Sequence, residues 1–215
     1  MKLSSIRKKQ IVAVSGLAMV GFLLAHLSGN LLLFKGPEAY NAYADFLHSL
    51  GPILWVLRLG LIGAVLLHII FTVLIVKENR QARKDRYAVV QDHRNERSLA
   101  VKLMPYTGFV ILAYIIIHLL DFTFADKTTI INGVDYGLYG LVITTLRNPL
   151  HAAAYIIAMF SIGFHLSHAF QSVVQTFGLS SEKSRPKLML ASLVFGLGVA
   201  LAYSSIPLYV VATFR

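Results

Sequence analysis

The sequence predicts an all-α integral membrane protein with five transmembrane helices, the first four forming a bundle. Three observations predict it. Hydrophobic residues fill 56% of the 215 positions and charged residues only 14%, with a mean hydropathy of +0.66, a balance foreign to a soluble domain of this size. The apolar residues gather into five runs, each reaching the roughly 20 residues, at about 1.5 Å per residue, that a bilayer core requires. The cationic residues lie between these runs, most of them in alternate connections, as membrane topology demands.

The first span covers about 10–34. It begins too far into the chain and runs too long for a cleaved signal peptide, so it is expected to stay in the mature protein. After Gly36 and Pro37, the residues Ala39, Tyr43, Phe46, Leu47 and Leu50 recur at helical spacing, with Glu38, Asn41, Asp45 and His48 on another side. That pattern predicts a short amphipathic helix over 38–50 on the membrane surface. The second span covers about 52–76 and the third about 103–124, joined by a strongly basic link. The connection 125–148 has Gly133, Gly137 and Gly140 among Tyr136 and Tyr139, which reads as a folded loop capping the bundle. The fourth span covers about 149–177 and the fifth about 188–214. No internal repeat or low-complexity tract is expected.

Fifteen of the 20 Lys and Arg residues fall in the amino terminus, the 77–102 link and the link holding Lys183, Arg185 and Lys187. The opposite side holds Lys35, Lys127, Arg147 and Arg215, and Arg58 lies inside the second span. The amino terminus is therefore expected in the cytoplasm and the carboxy terminus outside. The formal charge of +10 follows from this distribution and not from a nucleic-acid-binding patch, so no nucleic acid is expected as a partner. With no cysteine, disulfides, iron–sulfur ligation and covalent haem attachment are excluded. Nothing resembles a glycine-rich nucleotide loop, which leaves flavin and nicotinamide chemistry to other chains.

Four of the five spans each carry one histidine near mid-membrane: His26, His68, His118 and His165. An ionisable side chain in hydrocarbon marks a functional site, and neutral imidazole is the commonest metal ligand. Two imidazoles suffice as the protein ligands of a haem iron, so four can hold two haems. His26 and His118 both lie about 6 Å beyond the middle of spans running outward, at about 1.5 Å per residue. His68 and His165 lie beyond the middle of spans running inward. Depth therefore pairs His26 with His118 on the outer side and His68 with His165 on the inner side, a path for electrons across the membrane. Small neighbours leave room for a flat macrocycle: Ala158 and Ser161 before His165, Ala64 before His68, Gly29 and Asn30 after His26. His168 lies one turn from His165 on nearly the same face, and depth does not choose between them. His93 and His151 suit solvated or interfacial roles. His48, on the amphipathic helix, is a titratable group where a quinone would exchange protons.

These residues carry a family resemblance. "HLSGNLLLFKGPEAYNAYADFLHSL" after the first span's centre, "LLHIIF" in the second, "IIIHLLDF" in the third and "FHLSHAFQSVVQTFG" in the fourth resemble the di-haem cytochrome b membrane subunits of succinate dehydrogenases and fumarate reductases, over nearly the full length. The resemblance implies five transmembrane helices, with bis-histidine haems b held first helix to third and second to fourth. Its "FH" step selects His165, with His168 as the alternative. Some relatives carry an acidic residue where His48 stands.

The resemblance further implies a succinate:quinone oxidoreductase in a bacterial cytoplasmic membrane. A flavoprotein subunit would interconvert succinate and fumarate and an iron–sulfur subunit would relay electrons. This chain would anchor both and pass electrons through two haems b to menaquinone or ubiquinone. Its own catalytic residues would be none. The basic 77–102 link suits a partner subunit or anionic lipid headgroups alike. Arg58 needs the interface or an anion such as a haem propionate, and Ser15 and Arg147 are lesser candidates for that contact. Glu38, His48 and Arg58 are the candidates for the outer quinone. The nearest rival is a di-haem anchor of a formate dehydrogenase or hydrogenase, which typically draws two ligands from one helix. A rival of another class, a proton-coupled transporter with histidines in its path, would show inverted repeats and broken helices.

Overall fold

The computed structural model describes residues 3–82, 99–131 and 133–214. Seven α-helices and one short hairpin follow in order among the described residues: α1 (Ser5–Asn30), α2 (Pro37–Ser49), α3 (Pro52–Ala82), α4 (Leu99–Phe122), β1 (Ile130–Ile131), β2 (Val134–Asp135), α5 (Gly137–Leu146), α6 (Pro149–Thr176) and α7 (Arg185–Thr213). Five of them, α1, α3, α4, α6 and α7, are long and apolar enough to cross a membrane. The protein is an all-α integral membrane protein. The basic stretch 83–98, with His93, lies outside the described residues.

Local chemistry sets the helix ends. Ser4 Oγ accepts from the Arg7 amide to begin α1, and Asn148 Oδ1 accepts from the amides of Leu150 and His151 to begin α6, where Pro149 follows the cap. A 3₁₀ turn over Leu31–Lys35 extends α1 and ends at Gly36, whose φ of 94° redirects the chain into α2. The amphipathic helix α2 occupies 37–49, close to its predicted range. The helix α3 continues to Ala82, six residues past the apolar run, because helical hydrogen bonding persists once its charged residues leave the hydrocarbon. There Glu78 pairs with Lys8 of α1, so the start of α1 and the end of α3 share one end of the molecule, called here the basic end.

The connection predicted as a folded loop contains more structure than that. β1 pairs antiparallel with β2, and α5 then buries Tyr139, Val142, Ile143 and Leu146. Asn41 of α2 ties the two pieces together: its Nδ2 donates to the Tyr136 carbonyl at 2.9 Å and its Oδ1 accepts from the Tyr139 amide at 3.0 Å. With Leu33, Tyr40, Tyr155, Ile206 and Val210 these residues form a core that closes one end of the bundle, the capped end. Gly29, read in the sequence as clearance for a macrocycle, serves this cap instead. A Cβ there would fall on the Tyr43 ring of α2.

Packing of the long helices is uneven. The contacts of α1 with α3, of α4 with α6, and above all of α6 with α7 are extensive. Gly163 and Gly196 let α6 and α7 touch backbone to backbone, a Cβ on Gly163 falling 2.8 Å from both the Gly196 carbonyl and Ala200 Cβ. By contrast α1 does not pack closely on α4, nor α3 on α6, among the described residues. Most large apolar side chains of α3 face outward, as the lipid-facing surface of a spanning helix should.

Candidate haem centres

The four mid-membrane histidines meet in two pairs across the loosely packed diagonals of the bundle. Ring centroids of His26 (α1) and His118 (α4) are 5.8 Å apart, and those of His68 (α3) and His165 (α6) are 6.4 Å apart. Two imidazoles on opposite faces of one metal, each bound at about 2 Å, would have centroids roughly 6 Å apart. Neither pair is joined by a hydrogen bond between its rings among the described residues. The rings that lie together are those at matching depth.

The second ring nitrogen is engaged on three of the four. His68 Nδ1 lies 3.1 Å from the Val12 carbonyl and 3.4 Å from Ser15 Oγ. His165 Nδ1 lies 3.3 Å from Thr107 Oγ1, and His118 Nδ1 lies 3.5 Å from the Tyr114 hydroxyl. The Val12 carbonyl can only accept, so His68 carries its proton on Nδ1 and presents the Nε2 lone pair. Ser15 and Thr107 are placed alike: each hydroxyl donates to a carbonyl one turn back, Ile11 at 2.7 Å and Leu103 at 3.1 Å, leaving a lone pair for the ring. Such a partner fixes the ring's tautomer and orientation for ligation. The residue after each hydroxyl is glycine, and a Cβ there would sit 3.4 Å from His68 Cε1 (Gly16) or 3.8 Å from His165 Cε1 (Gly108). His26 is held by ring contacts instead, stacked on Phe22 at 5.3 Å and 6.4 Å from Tyr203, whose hydroxyl donates to the Leu23 carbonyl at 2.7 Å.

The residues fit a haem better than a bare ion. No group of three or more His, Cys, Asp or Glu side chains that could cage a metal exists among the described residues. A pair of facing imidazoles between helices that leave a gap suits a metal whose remaining ligands come in a flat macrocycle. The capped-end pair opens on a cavity of about 230 Å³ lined by His26, His118, Tyr40, Tyr114, Tyr155 and Tyr203 and, nearer the surface, by His48, Arg58 and Lys127. Its wall is thus apolar or aromatic around the imidazoles and cationic elsewhere.

Of the other sequence candidates, the structure brings His48 and Arg58 to this cavity, Arg58 also lying over the Trp55 ring at 5.2 Å. Glu38 and Arg147 are exposed and do not line it. Ser15 sits at the His68 ring, where a propionate contact had been expected. His168 is not stacked with His68, and its Nδ1 is buried without a hydrogen-bond partner among the described residues. Sequence reasoning missed Thr107, Tyr114, Lys127 and the group Asp121, His151 and Tyr155. A signal for the first existed: Ser15–Gly16 precedes His26, and Thr107–Gly108 precedes His118, by the same three helical turns.

Among curated proteins the chain is similar to the succinate dehydrogenase cytochrome b558 subunit of Bacillus subtilis (strain 168), at 25% identity over 174 residues covering 80% of each chain. No protein-family model matches the chain. No solved structure matches it either. The curated match names the same kind of subunit as the motif resemblance, and the chain is related to it.

Proposed function

We propose that this relative of a succinate dehydrogenase cytochrome b subunit is the membrane anchor of a succinate:quinone oxidoreductase, holding two haems b on His26 with His118 and on His68 with His165. The observation that carries the reading is the pair of facing imidazole couples at 5.8 and 6.4 Å, on helices that do not pack on one another. Haem held there by two imidazoles would supply one-electron transfer. The chain's own part is placement. Val12, Ser15 and Thr107 orient the ligand rings at the basic end, and Tyr114 orients His118 at the capped end.

The division of cationic residues supports a cytoplasmic basic end and an outward capped end. Flavoprotein and iron–sulfur partners would dock at the basic end. In the capped cavity Arg58 and Lys127 supply positive charge suited to haem propionates, and His48 is the group suited to proton exchange with a bound quinone. Arg147, which stands outside the cavity, would act only at its mouth.

The test is optical and stoichiometric. The purified chain should give a reduced-minus-oxidised spectrum of low-spin haem b with two haems per chain. His68→Leu and His118→Leu should each leave one haem, with different midpoint potentials. A colourless protein, or one whose haem content ignores both substitutions, overturns the reading.

A further inference from the structure

At the capped end, where α4 meets α6, three polar side chains form a group that ligation does not use. Asp121 accepts on a single oxygen, Oδ2, from His151 Nε2 at 2.8 Å and from the Tyr155 hydroxyl at 2.6 Å. The imidazole is 33% exposed and the carboxylate 19%, while Tyr155 is 6% exposed and lines the cavity that also holds His26 and His118. Exposure therefore falls stepwise along a continuous hydrogen-bonded line, from the surface to the cavity wall. A carboxylate within a spanning helix is costly, and joining two helices does not require one, since a neutral acceptor would serve. Every member of the line can both give and take a proton.

We propose that His151, Asp121 and Tyr155 form a proton-exchange path between the aqueous phase at the capped end and a quinone in the adjoining cavity. The proposal rests on the quinone-facing reading of that cavity given above. Reduction of a quinone to its quinol takes two electrons, which arrive through the chain, and two protons, which this path delivers one at a time. Water protonates His151 at Nδ1 as its Nε2 proton passes to Asp121 Oδ2, and a flip of the imidazole ring then turns the new N–H back to Asp121. Asp121 passes a proton to the Tyr155 oxygen as the Tyr155 hydroxyl proton moves to the quinone oxygen. The side chains end as they began, and quinol oxidation runs the same sequence backwards.

The titratable groups that share the cavity with Tyr155 are Tyr114 and His118 on α4, Tyr203 on α7, His26 on α1, Tyr40 and His48 on α2, Arg58 on α3 and Lys127. Among the described residues, no charged side chain other than His151 is ion-paired or hydrogen-bonded to Asp121.

The experiment uses the full haem-loaded chain in lipid nanodiscs, mixed rapidly with a short-chain ubiquinol or menaquinol while haem reduction is followed optically. Asp121→Asn keeps an acceptor for both donors and carries no proton. It should preserve the haem spectrum and reduction by dithionite, yet slow reduction by quinol by about 100-fold or more. His151→Ala should show the same slowing, restored by millimolar imidazole in the buffer. Wild-type rates in both variants overturn the path. Loss of a haem signal in Asp121→Asn, together with no imidazole rescue in His151→Ala, assigns the group to clamping α4 against α6 and also overturns it. A haem-loaded wild-type chain that no quinol reduces removes the quinone-facing reading, and the path falls with it.

Discussion

Thr107 and Ser15 occupy equivalent places in the two halves but do not carry equal weight. His68 keeps the Val12 carbonyl at 3.1 Å if the Ser15 hydroxyl is lost, whereas Thr107 is the hydrogen-bond partner of the His165 ring among the described residues. Thr107→Val should therefore weaken haem retention at the basic end by roughly 10-fold, with Ser15→Ala costing clearly less. Haem transfer to apomyoglobin measures both. Equal losses would show that the hydroxyls do not orient the rings. Tyr40 offers a test of the cap. Its hydroxyl donates to Asn30 Oδ1 at 3.4 Å, and burial pushes its pKa from the usual 10.0 up to about 12. The buried group stays neutral while the unfolded one ionises, so its contribution is intact below about pH 10 and is lost as pH rises toward 12. That loss is about 3 kcal/mol. Melting of wild type against Tyr40→Phe across this window should show a steeper loss in the wild type.

Among the elements, α7 has no histidine and α6 has three, yet the two form the tightest helix pair. Their contact fixes α6, and with it the azimuth of His165. Substituting Gly163 by Ala would put a methyl 2.8 Å from the Gly196 carbonyl and Ala200 Cβ, forcing the backbones apart. The expected cost is about 1–3 kcal/mol, read as a lower melting temperature in detergent, accompanied by weaker haem binding at the basic end and an unchanged capped-end signal. A loss confined to the capped end would refute the link between this crossing and His165. The capping helices act differently. Asn41 bonds the Tyr136 carbonyl and the Tyr139 amide, joining α2 to α5 over the cavity. The ten-residue apolar helix α5 was not legible in the 125–148 connection because its pattern follows from burial against α2, α4, α6 and α7, and the strands before it, two residues each, are too short to show an alternation. Its glycines suggested only turns.

For the whole molecule, the consequence is that two slots between non-packing helices are left for bound groups to fill. Haem depletion should therefore lower the melting temperature and broaden the transition. A group held at 100 times its dissociation constant adds about 2.7 kcal/mol, and calorimetry of haem-loaded against haem-depleted protein checks this. Equal melting would show that the slots are closed by the protein itself. The sequence alone determined the class, the number of spans and the four ligand candidates. Hydrocarbon forces apolar runs of fixed length and leaves buried imidazoles few roles, so both can be read along the chain. Depth could be counted at a constant rise per residue, and that was enough to pair His26 with His118 and His68 with His165. Azimuth could not be counted, because it depends on which neighbouring helix each face meets. Only the tertiary structure decided that Ser15 turns to His68 and Thr107 to His165, that Gly29 makes way for Tyr43, and that Asp121, His151 and Tyr155, from segments 30 and 34 residues apart, converge beside the capped cavity.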